Sequence, residues 1–322
     1  MEMELNSVKL EPIENDEEWD DLMNKSSQRS VYLNSSFLRS VHLDKFRYLL
    51  IQNENPILGC LLPPTSLGNN PLSNGLYQGV FFIEKKSNSY SDDINRINSL
   101  SLLAGKIIDT GLSTALSLHH TIADIRGFEW YFFGKKLNVE FSSKTYYTGL
   151  IDLKSHADFQ SYFRSVRQSR RSEVKSFEPK TGIEMRDSND VDLFMKLYKD
   201  MFEEKGISLG REELCRVSSI IRIGIEANIG SLKFLVNGIR CFSGIFILTD
   251  GDTDYYQFGA TDPKSRGDHG SAYLMASAIE SAFSAQRSYF DMVGMNSPGR
   301  GDFKASFNAR VVPYFEIRII QR

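Results

Sequence analysis

The sequence predicts an α/β (α+β) protein of two tandem domains, each a mixed central sheet flanked by helices. Its 322 residues are about twice the ~150 residues typical of one domain. The same order of strand pair, strand, helix and strand occurs in both halves, with Tyr77-Gln78-Gly79 corresponding to Tyr256-Gln257-Phe258-Gly259. Strand pairs that alternate with helices predict a mixed sheet covered by helices in each half.

Helix, strand and turn signals divide the first half. Acidic residues crowd the first turn of a helix at 15–23, where they oppose the helix dipole. Asn53-Glu54-Asn55 has the chemistry of a turn between two strands. The predicted elements are helices at 15–23, 35–41 and 93–111, and strands at 46–52, 56–62, 76–83 and 129–133.

The second half begins with a helix rich in arginine and lysine. Asn237-Gly238 is the strongest hairpin signal in the chain, and Gly206 suits the end of a helix. We place the boundary at residues 144–153, giving a first domain over 1–150 and a second over 151–322. The predicted elements are helices at 158–177, 191–205 and 271–285, strands at 231–236, 241–249, 254–260 and 288–293, and a last strand at 311–320 that could complete either sheet.

Composition excludes several classes of protein. A net charge of −3 and a pI near 6.0 give no general attraction to nucleic acid or anionic membranes. The start of the chain lacks a secretory signal, and no apolar stretch approaches the ~18 residues of a membrane helix. Three scattered cysteines fit a reducing compartment. We therefore expect a cytoplasmic protein with no membrane span. No histidine or cysteine spacing predicts a metal site or covalent catalysis.

Several segments together carry a family resemblance. Tyr255-Tyr256-Gln257-Phe258-Gly259-Ala260, Phe290-Asp291-Met292-Val293-Gly294 and Gly301-Asp302-Phe303-Lys304 resemble the second half of FemAB-like proteins, and Trp19 with residues 32–38 resembles their opening. The resemblance implies tandem GNAT-type domains that transfer an acyl or aminoacyl group to an amine, often in cell-envelope biogenesis. It implies an acyl-CoA, acyl-carrier protein or aminoacyl-tRNA donor and no permanently bound cofactor. The coiled-coil arm of some members is absent, which weakens the case for tRNA.

The loop 294–304 follows a buried strand and carries Arg300 and Lys304. Acyl transfer to an amine passes through an oxyanion that needs a fixed positive charge nearby. By resemblance, Phe303-Lys304 matches the Phe-Lys pair on which Fem peptidyltransferases rely. Lys304 is the candidate oxyanion donor, with a solvated surface lysine as the alternative. The remaining candidates are Asp291 for proton transfer or for orienting the loop, Tyr256 and Gln257 for the acyl carbonyl or for packing, and Asn296 and Arg300 for the substrate.

The loop 261–272 opens a helix whose free amides can hold a phosphate or pyrophosphate of the donor. Its candidate donor-binding residues are Arg266, Gly270, Ser271 and Ala272. GNAT enzymes place an Arg or Gln three residues before the first glycine, whereas Arg266 lies four before Gly270. That departure weakens the case for coenzyme A. The alternative is an ordinary strand-to-helix loop.

Basic residues along the helix at 158–177 form a second candidate phosphate site. Arg164, Arg167, Arg171 and Lys175 lie three and four residues apart, so the spacing predicts one shared face. Such a face could contact a nucleotide-linked acceptor or a tRNA backbone. The alternative is a solvated helix face.

These observations favour an N-acyltransferase without a covalent enzyme intermediate. The first domain is the expected acceptor side and the second the donor side. The expected acceptor is the amine of an amino sugar, nucleotide sugar or peptidoglycan precursor. One alternative is a catalytically silent GNAT-like module that binds a phosphorylated or nucleotide ligand. Another is a tRNA-dependent aminoacyl transferase.

Overall fold

The chain folds into two compact units. The computed structural model describes residues 8–67, 75–83, 89–177, 182–238 and 240–322, without the side chains of residues 89, 90 and 266. Unit 1 comprises Met1–Tyr146 with Pro313–Arg322, and unit 2 comprises Tyr147–Val312. The last ten residues of the chain therefore belong to unit 1.

Unit 1 contains an antiparallel sheet of four strands in the order β1-β2-β3-β4. A separate pairing joins β5 antiparallel to Glu316–Ile319 of the final strand, β12. The elements are β1 (Val8–Pro12), α1 (Asp16–Asn24), α2 (Ser35–Ser40), β2 (Arg47–Gln52), β3 (Asn55–Leu61), β4 (Val80–Phe82), α3 (Ser89–Asp109), β5 (Thr114–Ser117), α4 (Arg126–Phe132) and the first part of β6 (Val139–Asp152).

Local chemistry explains where the first elements begin and turn. The Asn15 side chain accepts a hydrogen bond from the Glu18 backbone N–H at 3.1 Å and caps α1. The hairpin between β2 and β3 turns at Asn53 and Glu54, whose φ angles are +49° and +62°. Asparagine tolerates this left-handed conformation better than most residues do.

Trp19 is the centre of one of the cores of unit 1. Its side chain is fully buried, its ring meets Phe81 edge-on at 4.9 Å, and its indole N–H donates to the Leu33 carbonyl at 2.6 Å. Another core packs α3 against the sheet and includes Ile317 and Ile319 of β12.

Unit 2 is a mixed sheet covered by helices. Its strand order is β6-β11-β10-β9-β8-β7, in which β10 and β11 are parallel. A core cluster packs α5, α6 and α9 against this sheet. The elements are the end of β6, α5 (Phe159–Ser165), α6 (Gln168–Phe177), β7 (Glu184–Asp187), α7 (Val191–Glu203), α8 (Arg211–Glu226), β8 (Gly230–Asn237), β9 (Arg240–Thr249), β10 (Thr253–Thr261), α9 (Gly270–Ser284), β11 (Tyr289–Asp291), α10 (Pro298–Ala305) and the start of β12 (Arg310–Gln321).

The parallel strands β10 and β11 pair only briefly. The paired residues are Thr253–Tyr255 with Tyr289–Asp291, after which β11 ends while β10 continues to Thr261. The register of β10 against β9 also shifts between Tyr256 and Phe258, which makes Gln257 a bulge. An opening in the sheet therefore begins at Tyr256.

The strand predicted at residues 129–133 is wrong, because this segment lies in α4 and at its end. Gly127 allows α4 to approach α3 closely: a Cβ there would lie 2.3 Å from the Ile97 carbonyl oxygen. Phe128 is buried by this contact, whereas Trp130 and Phe133 are exposed. The strand that follows α3 is β5. It was not predicted, because the aromatic run at 129–133 was assigned as the strand in this part of the chain.

The single basic helix predicted at 158–177 is two helices. Asp158 and Ser161 form a capping box at the start of α5, and the chain becomes extended at Val166, with φ −64° and ψ 144°. Arg164 lies on α5 and Arg171 on α6, so the predicted single face is wrong. Helix α8 was not predicted, and the strand predicted at 76–83 is reduced to β4.

We expect the two tryptophans of the chain to respond differently to substitution by phenylalanine. Trp19→Phe leaves the Leu33 carbonyl buried without its donor and should lower the free energy of unfolding by about 2 kcal/mol. The matched control Trp130→Phe changes an exposed ring and should stay within about 0.5 kcal/mol of the parent. Urea unfolding followed by far-UV circular dichroism measures both changes. Equal losses from the two variants would contradict the assigned burial of Trp19.

Candidate active site

A cavity of about 280 Å³ lies in unit 2 beside the opening in the sheet. Its walls come from β9, the outer half of β10, the start of α9, the end of α7 and Phe303 of α10. The lining residues are Met201, Lys205, Ser243, Gly244, Ile245, Tyr256, Gly259, Ala260, Thr261, Ser271, Leu274, Met275 and Phe303.

Tyr256 forms one wall of this cavity. A Cβ at Gly259 would lie 2.0 Å from the phenol oxygen of Tyr256, so the tyrosine lies flat along its own strand only because residue 259 is glycine. The bulge at Gln257 brings the two positions to the same side of β10. Burial raises the pKa of Tyr256 to about 12, and its hydroxyl is therefore a neutral hydrogen-bonding group at neutral pH.

The first turn of α9 reaches the cavity through Ser271. The preceding residue, His269, is left-handed with φ +60°, and no side chain caps this helix within the described part of unit 2. The start of this fifteen-residue helix therefore lies at the cavity. Backbone amides at a helix start favour a bound anion. Gly270 packs closely on Phe177 and Leu235, and Ala272 is buried in the core. The side chain of Arg266 lies outside the described part of the chain.

Lys304 is buried on the inner side of α10, with 7% of its surface exposed. Its amine donates to the carbonyl oxygens of Val293 at 3.0 Å and Gly294 at 2.9 Å, and it lies 5.4 Å from the centre of the Tyr256 ring. Burial lowers the pKa of Lys304 to about 8. The nearby Asp291 opposes that shift and Arg300 adds to it. The amine is therefore a loop anchor behind the tyrosine wall and does not project freely into solvent.

Asp291, at the end of β11, is fully buried. Its carboxylate accepts hydrogen bonds from the Thr148 hydroxyl and, at 2.7 Å, from the Val293 backbone N–H. Val293 has φ +57°, a costly conformation for a β-branched residue. These contacts support the second predicted role of Asp291, which is to orient the loop that follows.

Asn296 and Arg300 also contact their own surroundings. The Asn296 side chain accepts from the Tyr147 N–H at 2.9 Å and donates to the Tyr147 carbonyl at 3.3 Å, which joins the loop to β6. Arg300 is exposed and donates to the Ser297 hydroxyl at 2.9 Å. The substrate-binding roles of both residues stay predictions.

Phe303 joins the cavity to a group of charged residues on α6. The guanidinium of Arg170 lies 4.6 Å from the centre of the Phe303 ring, and its Nε donates to the Ser306 hydroxyl at 2.8 Å. The ion pair with Glu173 holds the other end of Arg170. Burial lowers the pKa of Arg170, which the Glu173 charge opposes.

Among the predicted phosphate-binding arginines, Arg167 already has a carboxylate partner. Its guanidinium donates to both oxygens of Asp302, at 2.9 and 3.2 Å, and this pairing lowers the pKa of Asp302. Arg164 is exposed on α5, and Arg171 is half-buried on α6.

Of the predicted site residues, Tyr256, Phe303 and Ser271 line the cavity, whereas Lys304 and Asp291 do not. Lys304 lies behind the Tyr256 ring, and Asp291 holds the same loop as Lys304. Gln257, in the bulge, is not a lining residue. Sequence reasoning missed Thr148 and Ser243. Thr148 lies 143 residues from its partner Asp291, and nothing in the local sequence marks it.

The described residues lack two further features. No group of three or more His, Cys, Asp or Glu side chains in this part of the chain could hold a metal ion. No described helix has the length and apolar character needed to cross a membrane.

Comparison with known proteins supports the fold. Residues 160–305 match the family model described as Acetyltransferase (GNAT) domain, while no curated protein sequence matches the chain. The structure of FemX aligns with a TM-score of 0.65 at 12% identity, covering 95% of this chain and 96% of FemX. A tandem GNAT protein from the clavulanic acid biosynthesis pathway aligns at 0.52 and 9% identity, covering 98% of each chain.

A third similar structure is the C-terminal domain of a putative lysylphosphatidylglycerol synthetase from Agrobacterium fabrum. It aligns with a TM-score of 0.52 at 9% identity, covering 94% of this chain and 92% of that domain. The predicted resemblance to FemAB-like proteins and the tandem GNAT-type fold are confirmed. The match of residues 160–305 to a GNAT acetyltransferase domain supports acyl transfer as the general class of reaction.

The buried amine of Lys304 should make stability depend on alkaline pH. Its pKa is about 8 in the folded chain and 10.5 as a free group. Below pH 8 the folded state holds a poorly solvated charge. Between pH 8 and 10.5 only the unfolded state keeps the proton, so stability rises through this window. Across that window, the free energy of unfolding of the parent should rise by about 3 kcal/mol relative to that of Lys304→Met.

Urea unfolding of both proteins at the two ends of the window measures this difference. The exposed Lys199, which pairs with Glu203, provides the control variant Lys199→Met, which removes a solvated surface lysine. A difference for Lys304→Met that is constant across the window would contradict the lowered pKa.

Proposed function

We propose that the chain is an N-acyltransferase that moves an acyl or aminoacyl group from an activated carrier to an amine. One observation carries the proposal: the Lys304 amine lies 5.4 Å from the ring of Tyr256, which walls a cavity that opens on the start of α9. A cation behind the tyrosine wall and a helix start without a side-chain cap beside the cavity fit a reacting carbonyl and a phosphate-bearing carrier.

In this reaction the acceptor amine attacks the carbonyl carbon of the donor. The new C–N bond forms as the C–S or C–O bond to the carrier breaks, and the proton lost by the amine leaves with the carrier. Charge develops on the carbonyl oxygen in between. Lys304 has three N–H donors, of which two contact backbone carbonyls. The third stabilises the oxyanion.

The proposed donors are acyl-CoA, acyl-carrier protein and aminoacyl-tRNA. All three carry phosphate near the acyl group, which suits the start of α9. Ser271 lines the cavity there, and Gly270 and Ala272 form the same turn. The match of residues 160–305 to a GNAT acetyltransferase domain favours a coenzyme A or carrier-protein thioester.

The proposed acceptor is an amine on an amino sugar, nucleotide sugar or peptidoglycan precursor, made in the cytoplasm for the cell envelope. The resemblance of the sequence to FemAB-like proteins, which implies acceptors of this kind, is the basis for this choice. We assign the donor to unit 2, where the cavity lies, and the acceptor to unit 1.

One observation favours a second candidate, a GNAT-like module that binds a phosphorylated or nucleotide ligand without turnover. The Lys304 amine is 7% exposed and hydrogen-bonded by its own loop. In such a module this lysine would only support the fold. Binding of a nucleotide ligand with no acyl release from any donor would favour it.

Lys304→Met should reduce kcat by about 100-fold or more, as loss of an oxyanion donor does. The assay offers acyl-CoA, acyl-carrier protein and charged tRNA in parallel and detects released carrier and acylated amine by mass spectrometry. Lys199→Met is the matched control and should retain the parent rate. Circular dichroism of each variant separates a loss of chemistry from a loss of folding. A folded Lys304→Met protein with unchanged kcat would remove this lysine from the mechanism.

The pH dependence of turnover tests the protonation state of Lys304. An amine that donates to an oxyanion must carry its proton, so kcat should fall as pH rises through about 8. The residual rate of Lys304→Met should lack this alkaline limb. A parent rate that increases through the same range would assign the lysine the role of a base.

A further inference from the structure

The end of α4 carries large apolar side chains that no other part of unit 1 covers in the described structure. Trp130 is 57% exposed and Phe133 is 85% exposed, followed by Leu137 at 37%. Every residue from 133 to 138 is exposed. We call Trp130, Phe133, Lys135, Lys136 and Leu137 the α4 tip.

Packing of the rest of α4 fixes this exposure. Gly127 and Phe128 are buried, and Tyr131 lies over Gly105 of α3. Phe132 stacks on Phe141 of β6 at 4.6 Å. These contacts use the inner side of the helix. Trp130 and Phe133 therefore lie on the outer side, and the two rings cannot turn inward without displacing the helix.

The chain turns sharply directly after the exposed phenylalanine. Gly134 has φ +69°, and nothing lies within 4 Å of the position that a Cβ would occupy there. The α4 tip is thus an open turn with aromatic rings. Such a surface suits insertion into a soft layer better than a matched fit to a rigid partner.

Basic side chains flank the rings. Residues 124–140 contain Arg126, Lys135 and Lys136 together with Asp124, Glu129 and Glu140. Asp124 pairs with Arg126 and Glu140 with Arg322, so Lys135 and Lys136 supply the positive charge at the tip and Glu129 opposes it. Arg126 lies 5.1 Å from the centre of the Trp130 ring and also pairs with Asp124. The amine of Lys135 lies 3.5 Å from the centre of the Tyr131 ring. The chain as a whole carries −3, so this positive charge is local.

We propose that the α4 tip binds the headgroup layer of an anionic lipid bilayer. Tryptophan and phenylalanine enter the boundary between headgroups and acyl chains. Lysine side chains beside them extend to lipid phosphates. The other exposed large apolar residues in unit 2 are Tyr147, Met185, Ile207 and Val311, which come from four separate segments. Single residues of that kind are normal on a protein surface.

The full chain is tested by sedimentation with vesicles of phosphatidylcholine alone or mixed with an equal part of phosphatidylglycerol. Binding to the mixed vesicles and its decrease with added salt are expected. Trp19 is fully buried and Trp130 is exposed, and the chain has two tryptophans. A blue shift of emission on binding, with quenching by brominated lipid, therefore reports insertion of Trp130.

Trp130→Ser with Phe133→Ser should reduce the partition coefficient by about tenfold or more. Lys135→Gln with Lys136→Gln should reduce it by about 25-fold, at about fivefold per charge. Ile207→Ser, at an apolar side chain 47% exposed on unit 2, is the matched control and should bind as the parent does. Thermal unfolding checks that each variant is folded.

Absence of binding to the mixed vesicles, or binding that the Trp130/Phe133 variant retains, would overturn the proposal. Light scattering provides the remaining outcome. A parent chain that self-associates, a monomeric Trp130/Phe133 variant and no lipid quenching would assign the α4 tip to contact with a second copy. That outcome also rejects the membrane. None of these results depends on acyl transfer, so the proposal fails or stands separately from the proposed function.

Discussion

The candidate site depends on how the loop after β11 is held. Asp291 accepts from the backbone N–H of Val293, and the Lys304 amine donates to the carbonyls of Val293 and Gly294. Asp291 thus holds the N–H of Val293 and Lys304 holds its carbonyl, and Val293 is kept in a left-handed conformation that it would otherwise avoid. The same lysine approaches the tyrosine wall of the cavity. Asp291 and Lys304 together therefore fix the geometry of the loop behind the cavity wall.

Much of the fold could be predicted from the sequence, because its signals are local. Two apolar runs around the Asn237-Gly238 turn predicted the β8–β9 hairpin, and the acidic first turn predicted α1. The prediction of a strand at 129–133 failed because a run of aromatic residues is typical of a buried strand. What decides its structure is Gly127, which lets a helix pack on α3. That contact is not visible in the local pattern.

The candidate site was predictable only in part, for a similar reason. Lys304 and Asp291 were identified because they follow or end a buried strand in a recognisable segment. The cavity itself depends on a one-residue bulge at Gln257 and on the pairing of β10 with β11 ending after three residues. Register shifts of this kind arise from the whole sheet. The prediction of one continuous basic face failed because an extended residue, Val166, separates α5 from α6.

The path of the chain has a consequence for biosynthesis. Unit 2 is continuous from Tyr147 to Val312, whereas unit 1 needs both Met1–Tyr146 and Pro313–Arg322. Ile317 and Ile319 are fully buried in the core of unit 1, and their strand supplies the partner of β5. During synthesis, β5 therefore lacks this partner strand until residues 313–322 have emerged from the ribosome. Unit 2, although made later, can complete its fold first.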